Sequence, residues 1–237
     1  MEIGEIIKDA AMYPINNIKA LVIYAVLTII AALALVFTGV GFIGASQSSG
    51  AAAGGLGILG IIGIIIAFAI LLLIVGYMLD VIKIAIMRED GAPEIEPARQ
   101  IVNGVKLLVL SIIYMIIPII IMAILGAINE YLSIIGFILL IVFALLLLIA
   151  QCRFAKTESL GDALDFAAVI EDIKEIGIVK VIAVLIIVAV IGFILNLIGS
   201  GIGQVSEIVG SILTSLFTLY CAFLQNRAYG LLYSDAE

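Results

Sequence analysis

The chain is 237 residues long and 65% hydrophobic, with eleven Lys and Arg against eighteen Asp and Glu and neither His nor Trp. Soluble domains average about 45–50% apolar residues, so a mean hydropathy of +1.39 excludes a water-soluble globular fold. A net charge of −7 argues against nucleic acid as a partner, and the lack of His removes imidazole metal sites and His general bases.

Met1–Met12 places Ile3, Ile6, Ile7 and Ala10 on one helical face and Glu2, Glu5 and Asp9 on another, the pattern of an amphipathic helix at a membrane interface. The segment is acidic on balance and the apolar run after it is too long for a signal h-region, so no cleavable signal is expected. Pro14 is expected to end this helix. Six charge-free apolar windows follow: Ala20–Phe42, Leu56–Leu79, Leu107–Ile128, Leu132–Ala150, Val181–Ile198 and Ile208–Leu224. They meet or approach the roughly 20 residues a spanning helix needs. Barrel strands alternate, whereas these runs are apolar on all faces, and in lipid each backbone amide must be paired within the protein. All six are therefore predicted to be transmembrane helices.

Gly44–Gly57, rich in Gly, Ala and Ser, reads as a flexible loop between the first two windows, with a dip into the headgroups as the alternative. Gly57, Gly60 and Gly63 recur every third residue in the second window, which permits close helix approach. Apolar spacing there continues to Met87, a helix about 48 Å long that must project past the bilayer or bend at Gly76. Asp80 and Lys83 are i, i+3 neighbours near its end, and Arg88-Glu-Asp-Gly-Ala-Pro93 breaks it. Glu94–Lys106 is polar and partly amphipathic, and Pro118 should kink the third span. Asn129-Glu130-Tyr131 is a tight turn. Ser159-x-x-Asp162 resembles a capping box with Asp in place of Glu or Gln. Leu160–Ile176, apolar at 160, 163, 164, 167, 170 and 173, reads as another interfacial helix. Gly199–Gly203 is the turn between the last two spans, and the sixth span carries Ser211, Thr214, Ser215 and Thr218 as one hydroxyl stripe.

All eleven basic residues precede the first span, follow the last, or lie between spans two and three or four and five. The positive-inside rule then places both termini and those two loops in the cytoplasm of a cell-membrane protein. Of the eighteen acids only Glu130 and Glu207 lie on the other side, so the inner face sums to about −5. Acids contribute little to orientation. Cys152 and Cys221 fall near one face and read as reduced thiols rather than a disulfide framework.

The fold class is thus an all-α integral membrane protein of six spans, arranged as three parallel-repeat helical hairpins with amphipathic helices at the cytoplasmic face. Lys106 to Arg153 and Lys180 to Arg227 have the same offset of 47 residues, and Lys19 to Lys83 is offset by 64, most of the extra residues being assigned to Gly44–Gly57. The repeat units approximate 1–91, 92–158 and 159–237 of a single membrane domain. Units two and three share Gln151-x-Arg153 and Gln225-x-Arg227, whereas unit one has Val81-x-Lys83. Parallel copies imply a pseudo-threefold axis along the membrane normal.

Gly76-Tyr77 with Asp80, the loop to Pro93, Gly104-Val-Lys106-Leu107, Phe154-Ala155, Asp162-Ala163 with Asp165-Phe166, and Arg227-Ala-Tyr229-Gly230 resemble an archaeal multi-pass membrane protein family catalogued as a domain of unknown function, DUF4013. The resemblance extends over nearly the whole chain. It implies a membrane protein with no assigned activity, so it supplies no site residues.

No charge falls inside any window, which argues against proton relays and ion coupling. Loop acids such as Glu94 with Glu96 or Asp162 with Asp165 could form a metal site or an acid–base pair, but such pairs are more often a solvated face. No catalytic, metal or cofactor residues are assigned. The glycine runs at 54–63 and 199–203 lack the strand and Lys of a phosphate loop. Lys83, Arg153 and Arg227 read as interfacial anchors, or as lipid-phosphate contacts assisted by Gln151 and Gln225. Ser211, Thr214, Ser215 and Thr218 read as helix-contact surface, or as one wall of a polar cavity. Membrane lipids are the expected partners, with a membrane or cytoplasmic protein as a further possibility and no nucleic acid. The preferred function is a non-enzymatic lipid- or protein-interacting bundle; the alternatives are a passive channel near the pseudo-threefold axis and an enzyme acting at the inner face.

Overall fold

The computed structural model describes residues 1–236. Its elements are α1 (Ile3–Asn16), α2 (Ile18–Gln47), α3 (Ala51–Ile86), α4 (Pro97–Ile128), a 3₁₀ turn at Glu130–Leu132, α5 (Ser133–Thr157), α6 (Leu160–Ala163), α7 (Phe166–Ile176), α8 (Ile178–Gly203) and α9 (Glu207–Tyr233). No strand occurs among the described residues. Six helices are long and apolar enough to cross a membrane, and they contain the six apolar windows. Each runs past its window, because hydropathy marks where lipid would be, whereas a helix continues wherever tertiary partners satisfy its polar residues.

Successive long helices pair as α2/α3, α4/α5 and α8/α9. The return helices α3, α5 and α9 also touch one another, while α8 packs on α9, α1 and α7 but not on α4 or α5. Toward the end that carries no basic residue, each pair buries little except small residues at its own seam. Gly41 meets the Gly60 backbone, Gly63 meets Ala34 and Thr38, Gly136 meets Met122, and Gly199 meets Thr214. Lipid offers no hydrophobic drive between helices, so close backbone approach has to hold these seams. Large apolar side chains there, such as Phe37, Ile65, Ile138 and Phe193, remain exposed around each hairpin.

The continuous core lies at the opposite, charged end. Ile6, Leu110, Ile149, Phe154, Ala228 and Leu231 are all but inaccessible there, and α1, α6 and α7 close over the return helices. Water outside the lipid restores the hydrophobic term, worth about 1.5–3 kcal/mol per large side chain buried. Phe223 of α9 anchors an aromatic group with Tyr13, Tyr24 and Tyr77 at 6.4, 5.5 and 6.5 Å between ring centroids. Tyr114 stacks on Phe166 at 4.5 Å and its hydroxyl donates to the Ala163 carbonyl at 2.8 Å.

Several local expectations are corrected. The segment Gly44–Gly57 is mostly helix, and the turn is Ser48-Ser49-Gly50, with Gly50 at φ +64°, a conformation glycine adopts without strain. Gly44 and Gly57 serve the α2/α3 seam, against Leu56 and Ala45, while Gly54 and Gly55 have open space around them. The turn expected at Gly199–Gly203 lies inside α8 for the same reason and shifts to 204–206. Helix α1 passes through Pro14 and stops at Asn17, whose side chain and backbone N–H both donate to the Tyr13 carbonyl. The Leu160–Ile176 helix is broken at Leu164-Asp165, because the Asp165 carboxylate caps a new start by accepting from the Ala167 and Ala168 N–H groups. The capping role of Ser159 holds, its hydroxyl accepting from Asp162 N–H at 3.3 Å. Glu94–Lys106 forms no separate helix, since Pro97 starts α4 and the helix runs on through Lys106 and Pro118 without interruption.

Candidate functional site

The polar residues of the charged end form ion-paired clamps, and each clamp rests on a helix contact that the sequence makes possible. Gly76 of α3 lies against the Gln100 backbone and Gly104 of α4 against the Leu72 carbonyl, so a Cβ at either would collide with main chain. This crossing brings the start of α4 over Asp80. Arg99 holds the Asp80 carboxylate in a two-pronged contact at 3.0 and 3.1 Å, and Gln100 adds a donor at 2.8 Å. Asp80 is only 5% exposed, and a carboxylate so buried is tolerable only when paired and hydrogen-bonded. Arg99 also reaches Glu96 at 2.8 Å and Glu158 at 3.4 Å, and Lys83 binds Glu158 at 2.6 Å.

The other two return helices are clamped in the same manner. Arg153 of α5 grips Asp172 of α7 at 3.0 and 2.8 Å and donates to the Asp162 carbonyl, while the Tyr233 hydroxyl donates to the same Asp172 at 2.9 Å. Arg227 of α9 is 1% exposed. It binds Asp9 of α1 at 2.8 Å and Asp90 at 3.2 Å, donates to the Glu89 carbonyl, and covers the Tyr13 ring at 4.7 Å. Gly230, one turn on, meets the Ile82 carbonyl and Ala85 of α3, which seats α9. Burial beside this group pushes the Tyr13 phenol up to about 12, against the lowering pull of Arg227, and its hydroxyl donates to the Gly91 carbonyl at 2.9 Å.

A further centre ties the tail after α9 to the rest. Asp235 accepts from Lys180, from Arg88 at 3.2 Å and from the Met1 amino group at 2.9 Å. Partial burial raises its pKa, but the Lys180 and amino-group hydrogen bonds outweigh that and hold it below the usual value of 3.8. Glu158 likewise sits below 4.5, chiefly through its hydrogen bond from Lys83, with Arg99 and Lys106 adding positive potential.

Lys83, Arg153 and Arg227 lie at the charged end, each with an acid partner. Gln151 lines an apolar groove of about 640 Å³ with Leu72, Leu107 and Ile119, beside Gly104 and Ser111. Gln225 is exposed and pairs with Tyr229 one turn on. The four hydroxyls of α9 are brought together with Tyr24 and Thr28 of α2 along a groove of about 590 Å³. Ser211, Ser215 and Thr218 donate to carbonyls of their own helix at 2.9, 2.8 and 2.8 Å. The groove lies at the side of the bundle, between the first and third hairpins.

Of the acid pairs considered for chemistry, Glu96 is held by Arg99 and Asp165 caps α7. Both cysteines are free thiols. The partners of Asp9, Asp172 and Asp235 are not legible in the sequence, because a carboxylate on the polar face of a helix or in a tail reads as solvated until packing brings its cation near. The i, i+3 pair expected of Asp80 and Lys83 does not form: Asp80 turns to Arg99 and Lys83 to Glu158, because the α3/α4 crossing brings Arg99 over Asp80.

Neither a curated protein nor a solved structure matches the chain. The family model described as "Protein of unknown function (DUF4013)" matches residues 59–203. That span takes in most of α3, the whole second hairpin, α6, α7 and all of α8. It includes Gly76, Asp80 and Gly104, which build the α3/α4 crossing, and Arg153, Asp162 and Asp172, which build the α5/α7 clamp. It is narrower than the resemblance, since Arg227-Ala-Tyr229-Gly230 lies beyond it. The chain belongs to the DUF4013 family of unknown function, and its six long apolar helices mark it as a multi-pass membrane protein.

Proposed function

We propose that the protein is a non-enzymatic bundle of the cell membrane that binds lipid or a protein partner, with both chain ends and the loops 87–96 and 158–177 in the cytoplasm. The distribution of Lys and Arg supports this orientation. One contrast supports the function: the hairpins are locked together by paired charges at one end, while the surfaces between them stay apolar and open toward the other. The groove lined by Leu72, Leu107, Leu108, Ile112, Ile116 and Ile119 has the chemistry of an acyl chain or an apolar partner helix. Of the acids considered for catalysis, Glu96 is ion-paired to Arg99 and Asp165 caps α7, which favours binding over chemistry.

An internal repeat fits the same reading. The end of each return helix is tied to the segment leading into the next hairpin: α3 to the start of α4, α5 to α7, and α9 back to α1. Arg88 and Glu158, each five residues past a closing cation, both take left-handed φ values, +57° and +54°. These correspondences support units near 1–91, 92–158 and 159–237.

The test is native mass spectrometry of protein extracted from membranes in mild detergent. Retained phospholipid or a stoichiometric protein partner is expected, and a bare chain in every preparation would contradict the proposal. The clustering of six hydroxyls along α2 and α9 favours a second reading, passive permeation of small polar solutes. Flux into liposomes above the protein-free rate, reduced by Ser215→Phe, would support it; flux absent or unchanged by the substitution would dismiss it.

A further inference from the structure

The apolar groove beside α4 follows one stripe of that helix. Gly104, Leu107, Leu108, Ser111, Ile112 and Met115 lie at i, i+3, i+4, i+7, i+8 and i+11, and the stripe continues to Ile119. Helix α3 adds Leu72 and Val75 to the lining, and α5 adds Gln151. We infer that this groove seats a single hydrocarbon chain of a lipid from the leaflet at the charged end, with the Gln151 amide donating to the oxygen that links the chain to the rest of the lipid. The inference rests on the binding role proposed above and commits it to a place, a ligand and a contact.

Length and width favour a lipid chain over a partner helix. Leu107 opens the third apolar window directly after Lys106, and from Leu107 to Ile119 the helix rises about 18 Å. One leaflet of a hydrocarbon core about 30 Å thick is about 15 Å deep. The groove therefore starts at the interface and ends near the midplane, where a lipid chain ends and a spanning helix does not. Its volume is about 640 Å³. Spread over the roughly 22 Å from Gly104 to Ile119, that leaves a section of about 30 Å², whereas a helix 10 Å across fills about 80 Å². A partner helix would lie across the rim and leave the floor unfilled. The close approach of Gly104 to the Leu72 carbonyl fixes the mouth of the groove.

The polar groups of the groove sit where such a chain would need them. Ser111 and Gln151 are the only polar side chains among its described lining residues. Gly136 meets Met122 in the antiparallel α4/α5 hairpin, a register that sets Gln151 level with Leu107. Ser111 lies one turn deeper and donates its proton to the Leu107 carbonyl at 2.8 Å, which leaves its oxygen free to accept only. The Gln151 amide thus supplies the N–H donors of the groove, at the level of the first cation, Lys106. The oxygens that join a lipid chain to its headgroup lie just inside the phosphates, at this same depth. Deeper in, Ile112, Met115, Ile116 and Ile119 present only apolar surface.

The test places the full chain in vesicles of phosphatidylcholine that carries a diazirine midway along one acyl chain. After irradiation, crosslinks should fall on residues 107–119 about tenfold more often than on the exposed apolar face of α8. Even labelling of the two helices overturns the inference, since a lipid that visits every apolar face has no seat. Native mass spectrometry then reads phosphatidylcholine retained in mild detergent by wild type, I112W, Q151L and the control I138W. Ile112 is exposed within the groove and Ile138 is exposed outside it, so neither substitution disturbs packing. Retention should fall about tenfold in I112W and about fivefold in Q151L, and stay at the wild-type level in I138W. Wild-type retention in I112W or Q151L, or an equal fall in I138W, overturns the inference alone and leaves the broader binding role standing. A stoichiometric protein that I112W displaces does the same. A chain bare of lipid and protein in every preparation overturns both.

Discussion

Arg227 is the clearest residue on which to test the clamps. Its guanidinium is 1% exposed and faces Asp9, Asp90 and the Glu89 carbonyl. Arg227→Leu would strip the partly exposed Asp9 of its cation and leave the Glu89 carbonyl without this donor, a loss of about 1–3 kcal/mol. A thermal melt in detergent should fall by several degrees, and an unchanged melt would show that the pair contributes nothing to stability. Asp80→Asn should be milder, since the amide oxygen still accepts one bond from Arg99, whose remaining charged partners are Glu96 and Glu158.

The acid dependence follows from the two depressed carboxyls. Glu158 and Asp235 bind protons less readily in the fold than in the unfolded chain, so protonation favours unfolding. Their contribution is fully present above the unfolded values, near 4.5 and 3.8, and is lost as pH falls through the lower folded values. Melts should therefore be level from pH 7 to about 5 and decline below about 4. Both groups are partly exposed, so salt should soften the decline.

At the scale of elements, glycines decide which helices can meet. Gly76, Gly104 and Gly230 each lie against the backbone of a neighbouring helix, whereas Gly54 and Gly55 have open space around them. Alanine at any of the first three should cost about 1–3 kcal/mol by overpacking, and at either of the latter two it should be neutral or slightly stabilising in a helix. Comparable melts for all five would refute the packing account.

The same contrast explains what could be read from the sequence. The six spans were legible because lipid selects for length and hydropathy over every window. Glycine spacing at 57, 60 and 63 correctly marked a seam. Gly44, Gly57 and Gly199 serve seams yet read as loop, because a glycine between two apolar runs signals a turn and a close contact equally well. Proline misled in the same way at Pro14, where burial of Tyr13 and Pro14 against α9 outweighs the missing hydrogen bond. The clamps were illegible for a different reason. Arg153 and Asp172 are 19 residues apart and Arg227 and Asp9 are 218 apart, so only the packing of the hairpins reveals them.

For the whole molecule, the central claim is that every basic segment belongs to one side of the bilayer, where the three hairpins are tied together. The expected behaviour is that of three legs joined at one end, stabilised by water-exposed packing at the join and by lipid between the legs. The direct measurement is labelling by a membrane-impermeant thiol reagent in sealed vesicles, in a C152S/C221S background. Single cysteines at Glu89→Cys and Lys174→Cys should react from one side only, and those at Ser49→Cys, Tyr131→Cys and Val205→Cys from the other. Labelling of positions 89 and 174 from opposite sides would contradict the account at its foundation.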